Sequence, residues 1–140
     1  MADTTPLSRL RVLVVDDEAR ARSALAALLA TYSGIEVVAQ AADGEQAIEL
    51  AVALHPDVVV MDGIMPRLDG LAATQRIKQL APEIAVLLLS LYGDLEWDAR
   101  SSGADGFLVK SVSDEEIIDV ITRLGRRGSA ARSTVTGILH

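Results

Sequence analysis

LRVLVVDDEARARSALAALL, Leu10 to Leu29, reads as a strand, an acidic turn and a helix. The Val-rich run Leu10 to Val15 has no helical period. Asp16, Asp17 and Glu18 interrupt it, and Ala21, Leu25, Leu28 and Leu29 then recur on one helical face. Working outward, the unit repeats. Gly34 breaks the helix, Ile35 to Ala39 forms a second strand, and Ala47, Ile48, Ala51 and Leu54 mark a second helix that ends near His55 and Pro56. Asp57 to Met61 is a third strand, Asp62 to Gly70 a loop and Leu71 to Leu80 a third helix. Ile84 to Leu89 is a fourth strand, Phe107 to Val109 a short fifth, and Asp114 to Leu124 a last helix, with Ser113 and Glu116 as its capping box. Strands that alternate with helices predict a doubly wound α/β domain, a parallel sheet covered on both faces, because each crossover is right-handed and lays its helix on the sheet.

Composition agrees with this class. The chain has 140 residues, enough for one domain with a substantial core, and is 50% hydrophobic but only 3% aromatic. Its core must therefore come from Val, Leu, Ile and Ala. The longest apolar runs, Ala24 to Ala30 and Ile84 to Leu89, are far shorter than the roughly 20 residues a membrane helix needs. The first eight residues have neither the basic start nor the apolar stretch of a signal peptide, and there is no cysteine, which together lead us to expect a cytoplasmic protein. A net charge of −7 argues against direct nucleic-acid binding, which requires a basic face. Residues 1–9 read as an N-terminal extension, 10–124 as the domain, and 125–140, rich in Gly, Ser, Thr and Arg, as a flexible tail or linker.

In sheets of this kind ligands bind beyond the carboxyl ends of the strands. Asp16 and Asp17 follow the first strand, Asp62 the third, Ser90 the fourth and Lys110 the fifth, so all five fall on one edge. Three carboxylates gathered there repel one another, and a hard divalent cation such as Mg²⁺ is the usual relief. Lys110 can pair with phosphoryl oxygens and the Ser90 hydroxyl can donate to another. Taken singly, Asp16 and Asp17 read as well as helix caps, Ser90 as a turn residue, Lys110 as a solvated charge and Phe107 as core. Their arrival in order at four strand ends favours the joint chemical reading.

With these residues in view, the chain resembles the receiver domain of bacterial two-component response regulators over about Leu10 to Leu124. The resemblance rests on the acidic pair after VLVV, on VVVMDGIMP with Met65-Pro66 and the later Asp69-Gly70, on Ser90, and on GADGFLVK ending at Lys110. ADGEQAIELA is most like the subfamily that often carries a helix-turn-helix output domain. The resemblance implies a flavodoxin-like five-stranded sheet of order 2-1-3-4-5. It implies Asp62 as phosphoacceptor and Mg²⁺ held by Asp17, Asp62 and the main-chain carbonyl of Ile64, with Asp16 supporting the shell. Ser90 and Phe107 would be the switch residues, a histidine kinase the phosphoryl donor, and the face of helix 4, strand 5 and helix 5 the output or homodimer surface. A Mg²⁺-dependent phosphatase with an aspartyl nucleophile and a phosphorylation-independent docking module are the rival readings.

The chain also departs from that pattern. Ser90 and Lys110 are closer together than is usual in the family, and Asp94 to Ser102 has no sustained apolar stripe, which predicts a short or irregular fourth helix and an unusual surface around Trp97. Trp97 reads as a core plug or a contact residue, with the plug favoured. Ser111 stands where many receivers have proline. Ile64 and Tyr92, both bulky and neither a base, predict slow loss of phosphate from Asp62.

Overall fold

A computed structural model describes residues 9–63, 65, 69–91, 93 and 96–127. The elements are β1 (Leu10–Val15), α1 (Ala19–Ala30), β2 (Ile35–Ala41), α2 (Gly44–Leu54), β3 (Val58–Asp62), α3 (Gly70–Leu80), β4 (Ala85–Ser90), α4 (Glu96–Ser102), β5 (Gly106–Val109) and α5 (Asp114–Arg126). The strands form one parallel sheet in the order β2-β1-β3-β4-β5, the expected flavodoxin-like arrangement.

Period-two alternation along the strands builds two cores. Leu13, Val15, Val59, Met61, Val86 and Leu88 face α2, α3 and α4, whereas Val12, Val14, Val58, Val60, Leu87 and Leu89 face α1 and α5. β1, β3 and β4 are therefore apolar on both sides, and for that reason their sequences read as nearly continuous runs, whereas the edge strand β2 also carries Glu36 and Gln40. Among the described residues no helix is long and apolar enough to cross a membrane.

Several boundaries differ from the sequence reading. Asp62 and Ser90 are the last residues of β3 and β4 rather than the first of their loops, because Asp62 still pairs with Leu89 and Ser90 with Val109. The last helix continues through Gly125 and Arg126 instead of ending at Leu124. Gly125 lies so close to β1 that a Cβ there would stand 2.7 Å from Leu10. In α1 the buried positions are Ala26 and Leu29, while Ala21 is exposed, so the inward stripe is narrower and rotated from the one expected.

The fourth helix is short, as expected, but regular: seven residues, with Ala99 its buried member. Trp97 is not a core plug. It is 74% exposed, because two residues away from Ala99 a helix has turned about 200° and points to solvent. Leu91, six positions earlier in the chain, is 67% exposed.

Candidate functional site

The carboxyl ends of β1, β3, β4 and β5 lie side by side, and the first turn is built to hold an acidic pair. Asp16 continues the β1 ladder by donating its amide to Ala41 O at 3.1 Å. Its Oδ1 accepts the Glu18 amide at 2.9 Å. The cap of α1 is Glu18, whose side chain accepts from the Arg20 amide. That settles the capping alternative for Asp16 and Asp17: the capping work falls to Glu18. Asp69 likewise caps α3, accepting from the Ala72 amide at 2.9 Å, and Asp43 caps α2.

Asp16, Asp17 and Asp62 each offer a carboxylate oxygen within 4.8 Å of the others. Asp16 is buried, Asp62 is half-buried and Asp17 is exposed, so the cluster opens to water on one side. Lys110 lies between two of its members, with Nζ 3.5 Å from Asp16 Oδ2 and 3.4 Å from Asp62 Oδ2. One ammonium offsets part of three neighbouring negative charges, and the remainder favours a hard cation with oxygen ligands. The donor set, all carboxylate and open on one side to water ligands, suits Mg²⁺ in kind.

Ser90 is 3% exposed and sits one strand from Asp62. Two backbone bonds tie these strand ends: Gly63 N to Leu89 O at 2.9 Å and Lys110 N to Ser90 O at 2.7 Å. Phe107 is buried with Met61, Leu88, Ala99 and Ala104. Its ring already lies inside, so the expected inward turn has little exposed surface to begin from in this conformation. Ile64 and Tyr92 lie outside the described residues, as do residues 128–140 of the expected tail. At the opposite edge of the sheet the Glu83 carboxyl is held below its usual range by a hydrogen bond from its own backbone and by His55.

Two residues at the site escaped the sequence reading. Arg22 donates from its guanidinium to the Asp16 carbonyl at 2.8 Å, a contact signalled only by its position one and a half turns beyond the acidic pair. Gly70 was visible within Asp69-Gly70, but its role was not. A Cβ at that position would lie 2.0 Å from Asp62 O, so glycine lets α3 start directly against the backbone of Asp62.

Comparison with known proteins agrees with this geometry. Residues 12–122 match the family described as response regulator receiver domain. The response regulator protein VraR of Staphylococcus aureus is 39% identical over 119 residues, which cover 84% of this chain and 57% of VraR. The chain thus spans little more than half the length of the curated relatives it matches. Among solved structures, the receiver domain of the putative response regulator NarL from Mycobacterium tuberculosis is 31% identical, with a TM-score of 0.80 over 86% of this chain and 98% of that one. A LuxR-family two-component response regulator from Aurantimonas is 30% identical, with a TM-score of 0.81 over 85% of this chain and 86% of that one. The ordered edge of Asp16, Asp17, Asp62, Ser90 and Lys110 thus sits in a sheet and a sequence of one kind, and the chain belongs to the response regulator receiver domain family of two-component systems.

Proposed function

We propose that Asp62 accepts a phosphoryl group from a histidine kinase's phosphohistidine, and that Asp16, Asp17, Ser90 and Lys110 serve this transfer. The observation that carries the reading is the triad of carboxylates within 4.8 Å, bridged by Lys110 at 3.5 and 3.4 Å. A carboxylate oxygen of Asp62 attacks phosphorus as the donor's P–N bond breaks. The electron pair returns to the imidazole nitrogen, and the product on this chain is an acyl phosphate. Mg²⁺, when bound, screens the phosphoryl charge from the carboxylates. Asp17 and Asp62 would hold it, and Asp16 would support the shell from its bond to the Glu18 amide. The Ile64 carbonyl, the remaining protein ligand in this reading, lies outside the described residues, and the slow loss of phosphate expected from Ile64 and Tyr92 rests on residues outside them too.

Lys110 then exchanges its carboxylate contacts for phosphoryl oxygens, and Ser90 donates to another. Ser90 ends β4 and Lys110 follows β5, so the change passes to the face of α4, β5 and α5, where Trp97 of α4 is exposed. That face is the surface through which this domain, residues 10–124, acts on an output partner or a second copy. The match covers only 57% of VraR, which supports an output region outside the receiver domain. The state change is a population shift within one fold.

Incubation with acetyl phosphate and Mg²⁺ tests the acceptor. Intact mass should show one added phosphoryl group on the wild type and none on Asp62→Asn, and beryllofluoride should bind only the former. Equal labelling of Asp62→Asn would overturn the assignment.

A further inference from the structure

We propose that Arg22 is a positioning residue for the acceptor site, fixing the turn that carries Asp16 and Asp17 so that their carboxylates converge with Asp62 on a divalent cation; this rests on the function proposed above. Asp16 is the last β1-side residue whose amide is held by β2, through Ala41 O. Beyond it the peptide joining Asp16 to Asp17 lies outside the strand ladder, and its rotation would swing the Asp17 carboxylate away from Asp16 and Asp62. The Arg22 guanidinium blocks this by donating to the Asp16 carbonyl at 2.8 Å. A charged donor makes this bond stronger than a neutral one.

The bond closes a ring. Arg22 N donates to Glu18 O at 2.9 Å, and Glu18 N donates to Asp16 Oδ1 at 2.9 Å, so the first turn of α1 and the acidic turn hold each other at both ends of Arg22. Arg22 is half-buried in this role, whereas Arg20, two positions earlier, is exposed. The geometry also separates two effects of opposite sign. A guanidinium near three carboxylates competes electrostatically with a bound cation, so removing it would tighten binding if charge dominated. Positioning predicts the reverse. Charge effects across the water-exposed side at Asp17 are screened by salt, whereas the orientation of the turn is not, so positioning should win.

The test is a MgCl₂ titration of the full chain followed by backbone amide shifts, with melting temperature measured alongside. Arg22→Met should bind Mg²⁺ about 10-fold more weakly, at the lower end of what loss of an outer-shell partner does. At saturating Mg²⁺ its rate of labelling by acetyl phosphate should return close to that of the wild type. Arg22→Lys, which keeps a charge and a donor, should recover part of the affinity. Unchanged or tighter binding by a folded Arg22→Met, or no recovery by Arg22→Lys, overturns the proposal. If Arg22→Met does not fold, Arg22→Gln carries the same expectation of weaker binding and the same refutation. A wild type that binds no Mg²⁺ would overturn the underlying function as well, and so distinguishes the two failures.

Discussion

Gly70 shows how one residue without a side chain supports a site made of charged ones. It begins α3 against the backbone of Asp62 and Gly63, where a Cβ would lie 2.0 Å from Asp62 O and 2.9 Å from Gly63 Cα. Both obstacles are backbone, so relief requires moving α3 or the end of β3. Gly70→Ala should therefore destabilise by about 1 to 3 kcal/mol, as forced overpacking does. It should also slow acetyl phosphate labelling, because the peptide of the proposed acceptor, Asp62, is displaced. Helix propensity alone predicts the opposite sign, since Ala is favoured over Gly by about 1 kcal/mol in a helix interior. Urea midpoints decide between them, and a stabilised Gly70→Ala would show that the contact relaxes freely. The sequence announced Gly70 as half of a motif, but the reason lies in a contact with a residue eight positions earlier. Asp16, Asp17, Asp62, Ser90 and Lys110 were legible because strand ends are local features and the topology does the rest. Arg22 was not, because its partner is a main-chain carbonyl and any residue supplies one.

Among the elements, those with strong periodicity were readable and those set by tertiary contact were not. β1 and β3 are Val-rich runs because both faces are buried, and α5 shows its stripe in Ile117, Val120, Ile121 and Leu124. α4 offers one buried residue, too few to show in the sequence which way Trp97 points. The edge opposite the site is held by a clamp between α3 and the approach to β5. Lys78 Nζ donates to Pro82 O at 2.9 Å, Ile84 O at 2.7 Å and Asp105 Oδ2 at 2.8 Å, and Asp105 Oδ2 also accepts the Val86 amide at 2.9 Å. The two side chains are only 17% and 14% exposed. Lys78→Met should cost about 2 to 3 kcal/mol, since it strips a donor from a largely buried carboxylate and two carbonyls. Lys78→Met with Asp105→Asn should cost less than the sum of the two single changes, because the second removes the charge the first leaves stranded. Additive urea midpoints would mean the two groups are not coupled.

The whole molecule divides its labour between the two ends of one sheet. Clamps such as Lys78–Asp105 close the amino edge, while the carboxyl edge gathers Asp16, Asp17 and Asp62 with a single ammonium among them. Like charges held within 4.8 Å oppose folding, since the unfolded chain lets them separate. Any ligand that binds only the folded arrangement returns stability by mass action, about 2.7 kcal/mol at a hundredfold excess over its dissociation constant. Mg²⁺ should therefore raise the melting temperature of the wild type in a concentration-dependent way. Asp17 is the member to change, because it is exposed and α1 is capped by Glu18 instead. Without metal, Asp17→Asn should melt no lower than the wild type, since one repelling charge is gone and no cap is lost. With metal, its gain should be much smaller, since one ligand charge has been removed. Differential scanning calorimetry across a Mg²⁺ series, with a matched series of a monovalent salt to remove general screening, measures both halves. An equal Mg²⁺ gain in Asp17→Asn would mean that the cation acts elsewhere on this acidic chain.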